Sequence, residues 1–183
     1  MAAAVERDGV LNMQGFIHVY TGNGKGKTTA AFGLAIRTAG AGMNVFIGQF
    51  LKSGRYSEVS ALERFPERIT CRQYGSGCRV DGTVSEADSR LARYGLEEVR
   101  WVTARGRYRL VILDEINIAV SFGLLTVEDL LELIEIKPAH VELVFTGRYA
   151  PSELIERSDL CTEMREVKHY YQKGVLAREG IEC

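Results

Sequence analysis

Apolar positions along the chain fall into short runs separated by turn residues. Residues 16–20 predict a strand that ends in a glycine-rich turn, and residues 28–39 a helix stopped by Gly40 and Gly42. Residues 44–50 (NVFIGQF) predict a second strand, residues 57–64 a short helix, and residues 69–74 a third strand. The stretch 75–84 (GSGCRVDGTV) holds three glycines and no long apolar run, so it predicts a loop. Ser85 then opens a helix with Asp88 as its capping-box partner. Leu91, Gly95, Val99 and Val102 recur at spacings of three and four along that helix's buried face. The most apolar strand is LVIL at 110–113, which belongs in the centre of a sheet. Thr126 caps a helix carrying Leu130, Leu131 and Ile134, and residues 141–145 (VELVF) form another strand. This alternation predicts an α/β fold, with a mostly parallel central sheet and helices on both faces. No repeat or proline-rich linker interrupts it, so residues 15–183 read as one domain behind an N-terminal tail, 1–14.

Composition narrows the function classes. A length of 183 residues suits one domain of ordinary size. The 23 basic and 24 acidic residues leave a net charge of −1, which gives no support to bulk binding of nucleic acid or an anionic membrane. Arg100, Arg105, Arg107 and Arg109 cluster, and read as a solvated helix end. Cys71, Cys78, Cys161 and Cys183 include no CxxC pair and no zinc spacing, so they read as reduced thiols of a cytoplasmic protein. The N-terminus lacks the apolar run of a signal peptide, and no stretch reaches the length of a membrane span.

Three segments carry chemistry. The strongest is TGNGKGKTT at 21–29, between a strand and a helix, the context of a phosphate-binding loop. Gly22, Gly24 and Gly26 let backbone N–H groups turn toward one anion, with Asn23 and Lys25 between them. The helix N-terminus adds its partial positive charge. Lys27 is placed for phosphate oxygens, and the hydroxyl of Thr28, followed by Thr29, for Mg²⁺. The general pattern GxxxxGK[ST] would put a glycine where Thr21 stands, so the loop is a variant. The second segment is LVILDE at 110–115, an apolar strand ending in Asp114 and Glu115. It matches the strand that aims a carboxylate at a loop-held Mg²⁺. The third is VFTGR at 144–148, which puts Thr146 and Arg148 at the carboxyl edge of the sheet, where parallel sheets bind ligands. Together these predict a P-loop NTPase core of RecA-like type that binds nucleotide.

The string TGNGKGKTTAAFGLAIRTAG (21–40) resembles the ATP loop of the corrinoid adenosyltransferases. So do QFLKSG (49–54), LDEINIAV (113–120), TGRYAPSELIERSDLCTEM (146–164) and the tail VKHYYQKGVLAREGIE (167–182). The resemblance implies an enzyme that transfers the 5′-deoxyadenosyl group of ATP to the Co(I) of a reduced corrinoid, releasing triphosphate. It implies Mg²⁺ as cofactor, a homodimer, and a flavoprotein as electron donor. By position, Lys25, Lys27 and Glu115 take the catalytic roles, and the stretch from Gly22 to Thr29, with Arg37 and Arg148, binds the nucleotide. Thr28 and Glu115, with Asp114, hold the metal. Lys52, Tyr56 and Glu58 fall in the loop after the second strand, near the corrin or the nucleotide.

One segment departs from the resemblance. Family members carry a loop with Phe and Trp that packs under the corrin, whereas residues 75–84 hold no aromatic, and Cys78 falls near the tryptophan's place. Either Tyr74 or Tyr56 moves in to compensate, or the protein accepts a corrinoid whose lower axial ligand is already absent. The alternative is a P-loop ATPase or nucleotide-binding regulatory protein that lost the corrinoid site.

Overall fold

The structure, a computed structural model, describes residues 13–77 and 84–182. Most of the N-terminal tail 1–14 and most of the loop 75–84, Cys78 included, lie outside the described residues. In chain order the elements are β1 (Ile17–Thr21), α1 (Lys27–Gly40), β2 (Val45–Phe50), α2 (Ser57–Leu62), β3 (Ile69–Tyr74) and α3 (Glu86–Arg105). There follow β4 (Leu110–Asp114), α4 (Ile116–Ser121), α5 (Val127–Ile136), β5 (Glu142–Thr146), α6 (Ser152–Glu156), β6 (Leu160–Glu163) and a 3₁₀ turn (Tyr170–Lys173).

The strands form one sheet in the order β3-β2-β4-β5-β1-β6, and every adjacent pair is parallel. Each sheet face is buried under helices. On one face Val19, Phe46, Val111, Leu113 and Phe145 pack against Leu96 and Val99 of α3 and Leu130 and Leu133 of α5. On the other, Val45, Ile47, Ile112 and Val144 meet Ala31, Phe32 and Ala35 of α1. The central strand β4 is buried at all five positions, so it needs apolar residues on both faces and shows no alternation.

Local chemistry fixes the helix starts. Ser85 and Asp88 form a complete capping box, and so do Thr126 and Asp129. The Asp88 carboxylate also accepts from the backbone N–H and hydroxyl of Ser76, tying β3's exit to α3. Gly95 lets α3 settle on β3, because a Cβ there would stand 2.3 Å from the Tyr74 ring.

Two findings differ from the sequence pattern. The strand β6 follows from no apolar run, and all four of its residues are exposed. It is held by its backbone, in register with β1 from His18↔Leu160 to Thr21↔Glu163. The arginine cluster is not simply a solvated helix end. Arg100 bonds Asp129 at 2.9 Å and reaches Glu97 and Glu132, while Arg109 pairs with Glu142 and donates to the carbonyl of His140. Arg105 does lie exposed, stacked 4.2 Å over the Trp101 ring. No described helix is long and apolar enough to cross a membrane.

Candidate active site

The functional residues gather at the carboxyl edge of the sheet because the strand register brings them there. Gln49 pairs with Asp114, Leu113 with Phe145, and Tyr20 with Thr146. The ends of β2, β4, β5 and β1 therefore stand side by side, with the N-terminus of α1 above them.

The phosphate-binding loop runs from Gly22 to the start of α1. Gly22 and Gly26 have φ of 93° and 124°, a conformation that glycine adopts without strain. Their spacing has a second cause in Met164, just past β6. A Cβ at Gly22 or Gly24 would lie 2.5 or 2.7 Å from the Met164 carbonyl oxygen, and one at Gly26 3.2 Å from its sulfur. The Gly24 N–H donates to that same carbonyl at 2.6 Å. Alternating glycines thus let the loop lie flat on the end of β6. No signal in the loop's own sequence pointed to Met164. Lys27 is buried, and its ammonium donates to the carbonyls of Gly22 and Gly24 at 2.7 and 2.8 Å. Burial pulls its pKa below the ordinary lysine value, against the attraction of Glu115 and Asp114.

Asp114 is the hub beneath the loop and is wholly buried. Its Oδ1 accepts from the hydroxyls of Thr28 (2.9 Å) and Thr146 (2.8 Å), and its Oδ2 from Gln49 (3.1 Å) and the Lys52 ammonium (2.8 Å). Gln49 is held in turn by Gln73, at 3.0 Å. Burial would lower the Lys52 pKa, but the charge and hydrogen bond of Asp114 outweigh it and hold it above the usual value. Glu115 follows at φ 60°, a left-handed conformation that side chains adopt at a cost of order 1–3 kcal/mol. Its backbone N–H donates to the Thr146 hydroxyl at 3.0 Å. Burial, and then the neighbouring Asp114, raise its pKa against the pull of Lys52, Lys27 and Arg148.

These groups open onto one cleft of about 1080 Å³. Its polar lining includes residues 23–29, Lys52, Glu115 and Arg148, and its apolar lining Phe32, Ile36, Ile118, Phe122 and Val84. Gly22 instead lines a smaller groove on the loop's far side. Arg37 lies exposed in the last turn of α1 and does not line the cleft. Ten residues beyond Lys27, it stands about 15 Å further along the helix axis. Lys25 is engaged with the C-terminal tail, donating to the Ile181 carbonyl (2.5 Å), Glu182 (2.8 Å) and the Tyr170 hydroxyl (3.3 Å).

Neither tyrosine proposed as an aromatic substitute lines the cleft. Tyr74 is only 2% exposed, packs against Gly95 and donates to Glu98 at 3.0 Å. Tyr56 lies beneath the Lys52 ammonium, 5.7 Å from its ring centroid. Among the phenylalanines that line the cleft, Phe122 at the end of α4 is 38% exposed, whereas Phe32 and Phe50 are buried. Sequence reasoning missed Phe122 because an aromatic after a short apolar helix looks like core.

Known proteins similar to this chain fall in one family. The family described as ATP:corrinoid adenosyltransferase BtuR/CobO/CobP matches residues 13–183. A corrinoid adenosyltransferase of Pseudomonas aeruginosa is 36% identical over 170 residues, covering 92% of this chain and 84% of the relative. The corrinoid adenosyltransferase CobA of Salmonella typhimurium and its Escherichia coli counterpart are each 34% identical, covering 92% of this chain and 86% of theirs. With a match across nearly its whole length, the chain belongs to the ATP:corrinoid adenosyltransferase family.

Proposed function

We propose that the protein transfers the 5′-deoxyadenosyl group of ATP to the Co(I) of a reduced corrinoid and releases intact triphosphate. The observation that carries this reading is a single cleft lined both by the phosphate loop and by apolar side chains. The loop brings Lys25 and Lys27, and Phe32, Ile36, Ile118 and Phe122 are among the apolar residues of the lining. A cleft of this kind accepts a polyanion and a large, flat, partly apolar ring side by side. Family membership supports the same pairing of substrates.

In the proposed step the electron pair of Co(I) forms a cobalt–carbon bond to C5′ of the ribose. The C5′–O bond breaks, and its electrons leave on the triphosphate. The protein therefore needs no nucleophile and no general base. Its task is to stabilise charge growing on the leaving group, by fixed dipoles and cations. The buried ammonium of Lys27 and the N–H groups at the start of α1 do this without reorganising. Arg148 and Lys25 add charge at the rim, Lys25 once it leaves its contacts with the tail.

The residues present fit a Mg²⁺ ion. Thr28 donates its hydroxyl hydrogen to Asp114 and accepts from the Lys52 ammonium at 3.5 Å, which leaves one oxygen lone pair for a cation. Glu115 supplies a carboxylate at the cleft, beside Lys27 and Thr28 of the phosphate loop. Bound Mg²⁺ supplies further neutralisation of the triphosphate. The family resemblance also supports a cytoplasmic homodimer, folded as one domain over 15–183, that receives electrons from a flavoprotein.

Incubation with Mg·ATP and chemically reduced cob(I)alamin tests the reading. The light-sensitive spectrum of an alkylcobalamin is the expected result. ATP hydrolysis with the corrinoid spectrum unchanged would overturn it in favour of a P-loop ATPase.

A further inference from the structure

We propose that the C-terminal tail competes with triphosphate for Lys25. Glu182 is then a positioning residue that yields Lys25 to the incoming nucleotide and reclaims it as inorganic triphosphate leaves. An ammonium has three hydrogens. Those of Lys25 go to the Ile181 carbonyl (2.5 Å), Oε1 of Glu182 (2.8 Å) and the Tyr170 hydroxyl (3.3 Å). No hydrogen is left over, so a phosphate oxygen reaches Lys25 only by displacing a group of the tail. Lys27 differs, because its partners are carbonyls of the loop itself. A carboxylate on a phosphate-loop lysine sets one anion where another binds, and exchange between them leaves no cation bare.

The tail is folded to present that carboxylate. Oε2 of Glu182 accepts from the backbone N–H of Arg178 at 2.9 Å and from its Nε at 3.3 Å. Oε1 accepts from Arg178 Nη2 at 3.2 Å and from the Tyr170 hydroxyl. The Arg178 guanidinium also stands 4.8 Å over the Tyr170 ring. Arg178, and with it Lys25 and Tyr170, hold the Glu182 carboxyl well below the usual carboxylate range, so it stays ionised near neutral pH. Among the described residues, the hydrogen bonds from 170–182 to the rest of the domain all run to the Lys25 ammonium. Residues 171–180 are exposed, so releasing the tail uncovers little apolar surface. Gly180, Ile181 and Glu182 nevertheless line the cleft, so the tail stands where it meets a phosphate chain on the loop. One contact thus holds the tail, and it is the contact that a polyphosphate contests.

The inference rests on the cleft being a triphosphate site, and one set of titrations separates the two ideas. Inorganic triphosphate, with Mg²⁺ and without corrinoid, is titrated calorimetrically into the full chain. Glu182→Gln is expected to bind it about two- to fivefold tighter than wild type, the scale of a partly exposed ion pair that must open first. Lys25→Met should bind it more weakly, and adding Glu182→Gln to Lys25→Met should bring no further gain, since the two residues act as one pair. Amide hydrogen exchange across 170–182 should rise when triphosphate is added to the wild type, and should already be high in Glu182→Gln without it. A purely structural tail would move neither the cycle nor the ligand-linked exchange. The inference is overturned, with the reading of the cleft intact, if Glu182→Gln binds triphosphate no tighter than wild type. A gain that persists without Lys25, or tail exchange that fails to rise with triphosphate, would overturn it equally. Absence of triphosphate binding in wild type and Glu182→Gln alike would overturn the reading of the cleft, and this inference with it.

Discussion

Lys27→Met removes the charge at the centre of the phosphate loop while keeping most of the stem. Two of the three ammonium hydrogens are used on the carbonyls of Gly22 and Gly24, which leaves one for a phosphate oxygen. Because the ammonium is already buried, most of its dehydration cost is borne by the folded protein before ATP arrives. At about 3 Å and an effective dielectric near 20, the attraction to one phosphate charge is about 5 kcal/mol. Residual desolvation and competing cations reduce that, so the expected loss is about 3–4 kcal/mol, or about 10²–10³-fold in the Kd for Mg·ATP. Titration calorimetry measures it directly. The loop also loses the donor to its two carbonyls, about 1–2 kcal/mol of stability and a Tm lower by roughly 2–8 °C. An affinity within about twofold of wild type, in a variant that melts cooperatively, would refute the assignment of the loop.

Gly95→Ala should lower Tm by roughly 2–10 °C in a thermal melt, although alanine ordinarily stabilises a helix, because its Cβ meets the Tyr74 ring. Asp129→Asn should cost about 2–4 kcal/mol in a urea titration at pH 7, since it strips both Arg93 and Arg100 of a largely buried partner. Burial would raise the Asp129 pKa, but the Thr126 N–H and the two arginines hold it below the usual value. Its stabilisation is therefore complete above the unfolded value near 4 and is lost as the pH falls through the lower folded value. Asp129→Asn should accordingly flatten the acid limb of the stability–pH curve, and an unchanged limb would count against the pair. Glu182→Gln should tighten Mg·ATP binding by at most a few-fold, because the Lys25 contact it releases is partly exposed. Weaker binding in calorimetry would mean that the tail positions Lys25 rather than restrains it.

How much was legible depended on where the information lay. Val19, Ile47, Ile112 and Val144 sit in buried strands whose apolar runs and flanking glycines mark them directly. The capping boxes at Ser85 and Thr126 are short-range patterns, so sequence alone locates those helix starts. The loop from Gly22 to Thr28 and the acids at 114–115 were equally plain, because strand–turn–helix order predicts their meeting. What sequence did not reveal was how charge is shared inside the site. Asp114 and Glu115 are adjacent, and only strand register shows that Thr146, Gln49 and Lys52 all converge on the first. Met164 supports the loop through its backbone carbonyl, which carries no side-chain signature. The edge strand β6 is likewise a backbone feature. Arg37 shows the converse: a cation close to the loop in sequence is carried away from it along α1.

The central claim is a bond-breaking claim, so the most direct test follows the atoms. The protein would be incubated with Mg²⁺, chemically reduced cob(I)alamin and ATP labelled with ¹³C at the ribose 5′-carbon. Carbon and phosphorus NMR would be recorded on the same sample. The account predicts that the label moves to a cobalt-bound carbon while phosphorus appears as intact triphosphate. Label retained in ADP, with orthophosphate accumulating and no triphosphate at any time, would contradict it.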